Sequence, residues 1–204
     1  YKSSGGEMEM CDNLQSLIPK NWHTVVLGDI AVEKKEAFKL LNDFKIVSYI
    51  GLEHMPKKSI SLRYWENISS IGSNKSKFTE GSILFGKLRP YFHKVGVAFV
   101  DGICSTDIIV CQPKGANLFG LVLTVMSSVS FVDYSNSGWS GTKMPRTSWN
   151  FMADYRVTIP KKAQLLEHFN NVVSVQTNYL KSLAFENRAL GEFVEIINTK
   201  MSKA

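Results

Sequence analysis

The C-terminal stretch constrains the rest of the chain, because residues 160–201 read as one uninterrupted helix that a compact domain cannot absorb. Leu166, Phe169, Val173, Gln176, Leu180, Leu183, Asn187, Leu190, Val194, Ile197 and Met201 recur at alternating steps of three and four, an a/d heptad register whose only polar members are Gln176 and Asn187. Pro160 suits the start, since the first helical turn has no partner for its missing N–H. At 1.5 Å per residue the helix should run roughly 60 Å, about twice the width of a small domain. Much of it must lean on something else. Leu165, Val172, Tyr179 and Phe193 widen the stripe at g positions, whereas the e positions Asn170, Thr177, Ala184, Gly191 and Asn198 are small or polar. A strict a/d seam suits one partner helix; this broader face suits a partner helix and a second surface. Asn187, set at an a position, would fix register and orientation across such a seam. The alternative is a terminal helix packed entirely on its own domain, and length argues against it.

Ahead of the helix the chain has enough residues for one domain with its own core, and at 204 residues with 44% hydrophobic content it reads as globular. No run approaches a membrane span and the first residues do not form a signal peptide, so the expected location is cytoplasmic. Cys11, Cys104 and Cys111 lack any CxxC spacing, which predicts inert thiols and neither a disulfide framework nor a metal site. The chain begins with Tyr1 and not methionine, as expected of a piece of a longer or processed chain. Charge is unevenly placed. Lys57, Lys58, Arg63, Lys75, Lys77, Lys87, Arg89 and Lys94 face only Glu66 and Glu80 within residues 57–94, so this one segment carries the whole formal excess of +6. Interleaved with Tyr64, Trp65, Tyr91, Phe92 and His93, it has what phosphate contact plus groove or base contact needs; the alternative is a solvated face.

Taken in order, residues 1–21 are rich in Ser, Gly and Asn and predict an extended lead-in. Residues 22–159 form the domain and residues 160–204 the helix. Strands are expected over 22–27, 46–51, 82–88, 95–100 and 103–111, the last span holding the second of two neighbouring strands, with 69–78 a loop or edge strand. In SILFGKL, alternation sends Ile83, Phe85 and Lys87 to one face and Leu84 to the other. Short helices are expected over 31–41 and 118–131, and 151–159 should return as a helical turn and a strand. Residues 135–150, SNSGWSGTKMPRTSWN, are too polar for core and too aromatic for a plain linker, so they read either as a binding loop or as a connection whose tryptophans cover the core. The fold class is α+β: a curved, mostly antiparallel sheet followed by a long C-terminal coiled-coil helix.

The order EGSILFGKLRPYFHKVGVAF, GICSTDIIVCQP, SGTKMPRTSWNFMADYRVTIP and then a heptad helix resembles the target recognition domain of a Type I restriction-modification specificity subunit followed by its spacer helix. YKSSGGEM and IPKNWHTVVLGDI are similar to the linker and first strand that precede such a domain. The resemblance implies a non-catalytic reader of double-stranded DNA without a cofactor of its own. It would read one half of a split target and position methyltransferase subunits, which use S-adenosylmethionine, together with a restriction/translocase subunit. One domain and one helix imply a half-subunit that dimerises, or one half of a longer chain; the helix would be the partner surface.

On this reading Lys75, Lys77, Lys87, Arg89 and Lys94 contact phosphates, which set affinity and salt dependence but carry no sequence information. Base edges need Arg, Lys, Asn or Gln in the major groove, and the candidates are Lys143, Arg146, Asn74, Ser76, and Tyr91 or His93. Arg89 has a rival role holding the RP turn, and Ser105, Thr106 and Asp107 read as a cap or turn. Two other classes compete. A metal-dependent nuclease would need linked ligands, but His23, His54, His93 and His168 are scattered, Glu33-Lys34-Lys35 follows no evident strand aspartate, and no HExxH or phosphate-cradling glycine loop occurs. A coiled-coil interaction module would leave the basic segment unexplained.

Overall fold

A computed structural model describes residues 6–11, 14–38, 46–70, 73–138 and 144–202. The lead-in, expected to be extended, folds back as a hairpin of β1 (Met8–Cys11) and β2 (Ser16–Pro19). β3 (Trp22–Val26) follows, then one helical turn, α1 (Leu27–Ile30), whose Asp29 carboxylate accepts the Val26 N–H at 3.3 Å. The helix expected over 31–41 is absent where described. Ala31–Glu33 is instead strand β4 and pairs with a later strand, because Ala31 is buried while the charged residues that follow are exposed.

Next come β5 (Val47–Ile50), β6 (Ser61–Leu62), β7 (Glu66–Ile68), β8 (Lys75–Phe78), β9 (Ile83–Gly86), β10 (Val95–Ala98), β11 (Gly102–Ser105) and β12 (Ile108–Pro113). The expected single sheet divides into a five-stranded sheet in the order β4-β12-β9-β10-β6 and a four-stranded sheet in the order β7-β5-β11-β8. Every ladder between described strands is antiparallel except β10–β6 and β11–β5. The free edge of β8 is covered by residues 36–38, where Lys77 N–H donates to Glu36 O at 2.8 Å and Phe38 N–H to Lys75 O at 3.0 Å.

All four residues of β9 are buried, as an apolar run requires when both faces of a strand are covered. Ile83 and Phe85 join Val95, Val97, Ile109 and Cys111 in one core, while Leu84 joins Ala98, Ile108 and Val110 in a second core with Ile50, Phe78 and Cys104. The first core is closed by α2 (Phe119–Met126), α3 (Val129–Ser137) and α4 (Trp149–Ala153). Residues 118–131, expected as one helix, break between α2 and α3 with a 70° bend. There Ser128 leaves the helical conformation, and its hydroxyl accepts the Phe131 N–H at 3.2 Å as an N-cap. Among the described residues no single helix is long and apolar enough to cross a membrane.

β13 (Arg156–Pro160) pairs with β3, so the chain reaches its last helix beside its own beginning. Pro160 closes that ladder, and the helix, α5 (Ala163–Met201), starts three residues later than the sequence suggested. Its first half lies on the domain. Leu166, Thr177 and Ala184 are buried and Val173 and Leu180 half-buried, so the a positions are joined by the small e positions, while of the d positions only Leu183 is half-buried. Small side chains allow close approach: a Cβ on Gly120 would stand 3.0 Å from Val173 Cβ, and the Gly120 N–H donates to Asn170 Oδ1 at 2.9 Å. From residue 189 to 201 every residue is exposed, including Leu190, Phe193, Val194 and Ile197. Packing on its own domain therefore accounts for the first half of the stripe only.

Burial pushes the Cys104 and Cys111 thiols up to about 12, Lys75 and Lys87 pulling Cys104 slightly the other way. In the unfolded chain these thiols lose their protons near 9, and in the fold they keep them to about 12, so stability falls as pH rises through that window. A thiol reagent at pH 8 is expected to modify Cys11 alone until the protein is unfolded, which mass spectrometry of intact protein will read.

Candidate nucleic-acid interface

Two loops are joined at the end of β9. Arg89 N–H donates to Pro145 O at 2.8 Å, Thr147 N–H to Lys87 O at 3.0 Å, and Leu88 bridges Arg146, so residues 145–147 lie as a short extra strand against residues 87–89. Lys87, Arg89 and Arg146 are thereby brought together. Lys87 N–H also donates to Asp107 O at 2.9 Å, and the Asp107 carboxylate lies 3.2 Å from Arg146 Nη2, holding an exposed guanidinium in one orientation. Asp107, expected as a cap or turn residue, is the partner that aims Arg146. Its own N–H is taken by Ser105 Oγ at 3.2 Å, in keeping with the turn reading.

The RP turn itself is a single 3-10 turn, Pro90–Phe92, flanked by Arg89 and His93 at φ of 51° and 52°. Neither is glycine, and each left-handed residue costs about 1 kcal/mol or more. The cost is offset by fixing Phe92. Lys57 Nζ lies 4.4 Å and Arg89 Cζ 6.0 Å from its ring centroid, and Tyr91, half exposed, packs on it at 4.8 Å. Arg89 thus holds the turn, as its rival reading had it, and remains beside Lys87.

Lys75 lies on the same side. Its Nζ donates to Ser73 Oγ at 2.6 Å and stands 5.3 Å from the Tyr49 ring centroid, and both Lys75 and Lys87 act on the Cys104 thiol. Burial, with Glu53 and Cys104 next, raises the Tyr49 pKa, so this phenol stays neutral at physiological pH. Asn74 is exposed, and Ser76 is half-buried opposite Cys104.

Three expected contacts are placed otherwise. His93 is buried, with its Nε2 2.8 Å from Ser127 O, so it ties the turn to the end of α2 and does not face solvent. Lys94 donates to the Leu52 carbonyl, and burial, then repulsion from Lys57, lowers its pKa, so its charge is directed inward. Lys77 is exposed but paired with Glu36 at 2.6 Å. Trp65, counted among the aromatics of the basic segment, is only 8% exposed and packs under α5. Lys143 lies outside the described residues. Sequence reasoning passed over Tyr49; nothing in its local sequence marks it, because strand pairing brings it beside Lys75.

The resulting architecture is an α+β domain with a single long helix running past it. No family model matches the sequence. The Escherichia coli Type I restriction enzyme EcoDI specificity subunit is 26% identical over 148 residues, 70% of this chain but 32% of that protein. Among solved structures, a chain of the type I R-M system in a study of its assembly and conformational transition superposes with TM-score 0.61 at 17% identity, covering 91% of this chain and 50% of the other. The HsdS subunit from Thermoanaerobacter tengcongensis gives 0.60 at 18% identity, over 90% and 48%. The chain thus spans half or less of the length of these relatives. In sequence and in fold it resembles Type I restriction-modification specificity subunits over the extent of one recognition domain and one long helix.

Proposed function

We propose that this chain is a sequence-reading specificity unit that binds double-stranded DNA, reads one half of a split target, and positions methyltransferase and restriction subunits that carry out the chemistry. The observation that carries the reading is the junction at the end of β9, where residues 145–147 pair with the basic segment 87–89 and Asp107 holds the exposed Arg146 guanidinium. Cations beside planar side chains suit phosphate contact flanking a base-edge contact. The exposed d and a positions beyond residue 189 supply the seam for a second helix, from another copy or from the other half of a longer chain, and the remaining apolar side suits the methyltransferase. In this scheme S-adenosylmethionine belongs to the methyltransferase. The likeness to specificity subunits lends the nuclease reading no support.

A map of modified bases in DNA from cells carrying this chain with its partner enzymes is expected to show one bipartite target. Methylation that is random in sequence, or that survives deletion of this chain, would remove the reading.

A further inference from the structure

Beyond its seat on α2, α5 is tied to the domain at two further places, and each lies where the chain crosses from one sheet to the other. Glu80, in the turn between β8 of the four-stranded sheet and β9 of the five-stranded sheet, pairs with Lys181. Trp65, in the link between β6 of the five-stranded sheet and β7 of the four-stranded sheet, meets the helix two turns further on. There Phe185 packs on the indole at 5.5 Å between centroids, Arg188 Cζ stands 4.8 Å from its ring, and Arg188 Nη1 donates to the Trp65 carbonyl at 3.2 Å. Glu192, one turn on, holds Arg188 Nε at 3.3 Å. The guanidinium is therefore fixed by a ring, a carbonyl and a carboxylate at once, a role its planar fork suits and an ammonium cannot fill.

Arg188 is also the last point of contact, for beyond it the helix is exposed to its end. The 13 residues from 189 to 201 form a lever of about 20 Å, on which a tilt of about 10° moves the tip by about 3.5 Å, the rise of one base pair. Beside the contact lies a cleft of about 450 Å³ lined by His54, Arg63, Glu66 and Asn187. Without Arg188 the helix has room to tilt into it.

We propose that Arg188 and Trp65 form a clamp that sets the angle at which α5 leaves the reading domain, and so determines the separation between the two half-sites a complete assembly accepts. This rests on the DNA-reading function proposed above. Arg188 is a positioning residue: it lies at the helix, away from Lys87 and Arg146, and should leave the bases read unchanged.

The test combines two measurements on Arg188→Ala and Arg188→Lys, which replace a half-exposed side chain and leave both cores intact. In the full chain with Cys11→Ser, spin labels at Asn198→Cys and at Asn67→Cys or Asp133→Cys in turn report the distance from helix tip to domain. A narrow distribution is expected for native Arg188 and a broad one for both variants. In the assembled complex, the modification map of each variant should show the same half-site bases, with separations one base pair longer or shorter rising to within about threefold of the native one. Narrow distances and an unchanged single separation in both variants would overturn the clamp while leaving the DNA reading in place. Altered half-site bases would place Arg188 in the reading face and equally overturn it. A native map without any bipartite target would overturn the DNA reading and with it the half-site role of the clamp, whereas the distance distributions alone decide whether Arg188 fixes the helix angle.

Discussion

Replacing Arg146 with alanine is expected to relax the choice of base at one position of the target, by about 1–3 kcal/mol of discrimination, while other positions keep theirs. Asp107 and the pairing of residues 145–147 with residues 87–89 hold this guanidinium in place, and an oriented fork is what a guanine edge requires. Lys75→Ala and Lys87→Ala should behave differently. Each removes a mobile point charge, so each should weaken every sequence alike and lower the log–log salt slope of binding by about 1. Titrations of a duplex library at several salt concentrations separate the two outcomes. Uniform weakening by Arg146→Ala would demote that residue to a phosphate contact.

The largest effect on stability is expected from Phe85→Ala. Phe85 is fully buried in the middle strand of the five-stranded sheet, edge to face with Phe131 at 5.7 Å. Truncating it leaves a void that close-packed neighbours fill only in part, at about 3–5 kcal/mol. Against the 5–15 kcal/mol that holds a typical domain together, that is about a fifth of the total or more. Phe185→Ala on α5, where the ring is 41% exposed, should cost far less. Urea unfolding checks both, the midpoint moving with little change in slope. A Phe85→Ala midpoint no lower than that of Phe185→Ala would mean the first core is not the one that governs folding.

Periodicity made the helix legible because 3.6 residues per turn leave a mark that tertiary contacts do not erase, and SILFGKL likewise announced a strand. What periodicity did not show is which side of α5 meets the domain. A broad apolar stripe invites the larger residues to be taken as the contact, yet helices approach most closely across small ones, here Asn170 against Gly120, with Thr177 and Ala184 buried further along. Short strands were the other loss. Ala31–Glu33 is too brief for alternation to outweigh the helix-favouring Glu33, Lys34, Lys35 and Glu36 around it, and only its partner β12 makes it a strand. Within the candidate site, the pairing of Lys87 and Arg89 with Arg146 was not legible at all, since it joins segments nearly 60 residues apart in the chain. Charge in a sequence has no direction, which is why His93, Lys94 and Trp65 looked outward until the turn and the helix seat were seen.

The strand that feeds two cores has a consequence for how such a protein can diversify. β9, β10 and β12 give alternate residues to opposite layers, so neither layer can loosen without the other, and tolerance to substitution is concentrated where these strands run out. Residues 87–89 and 145–147 occupy that margin. On the function proposed above, a lineage can therefore exchange its recognition alphabet there while inheriting its foldability unaltered.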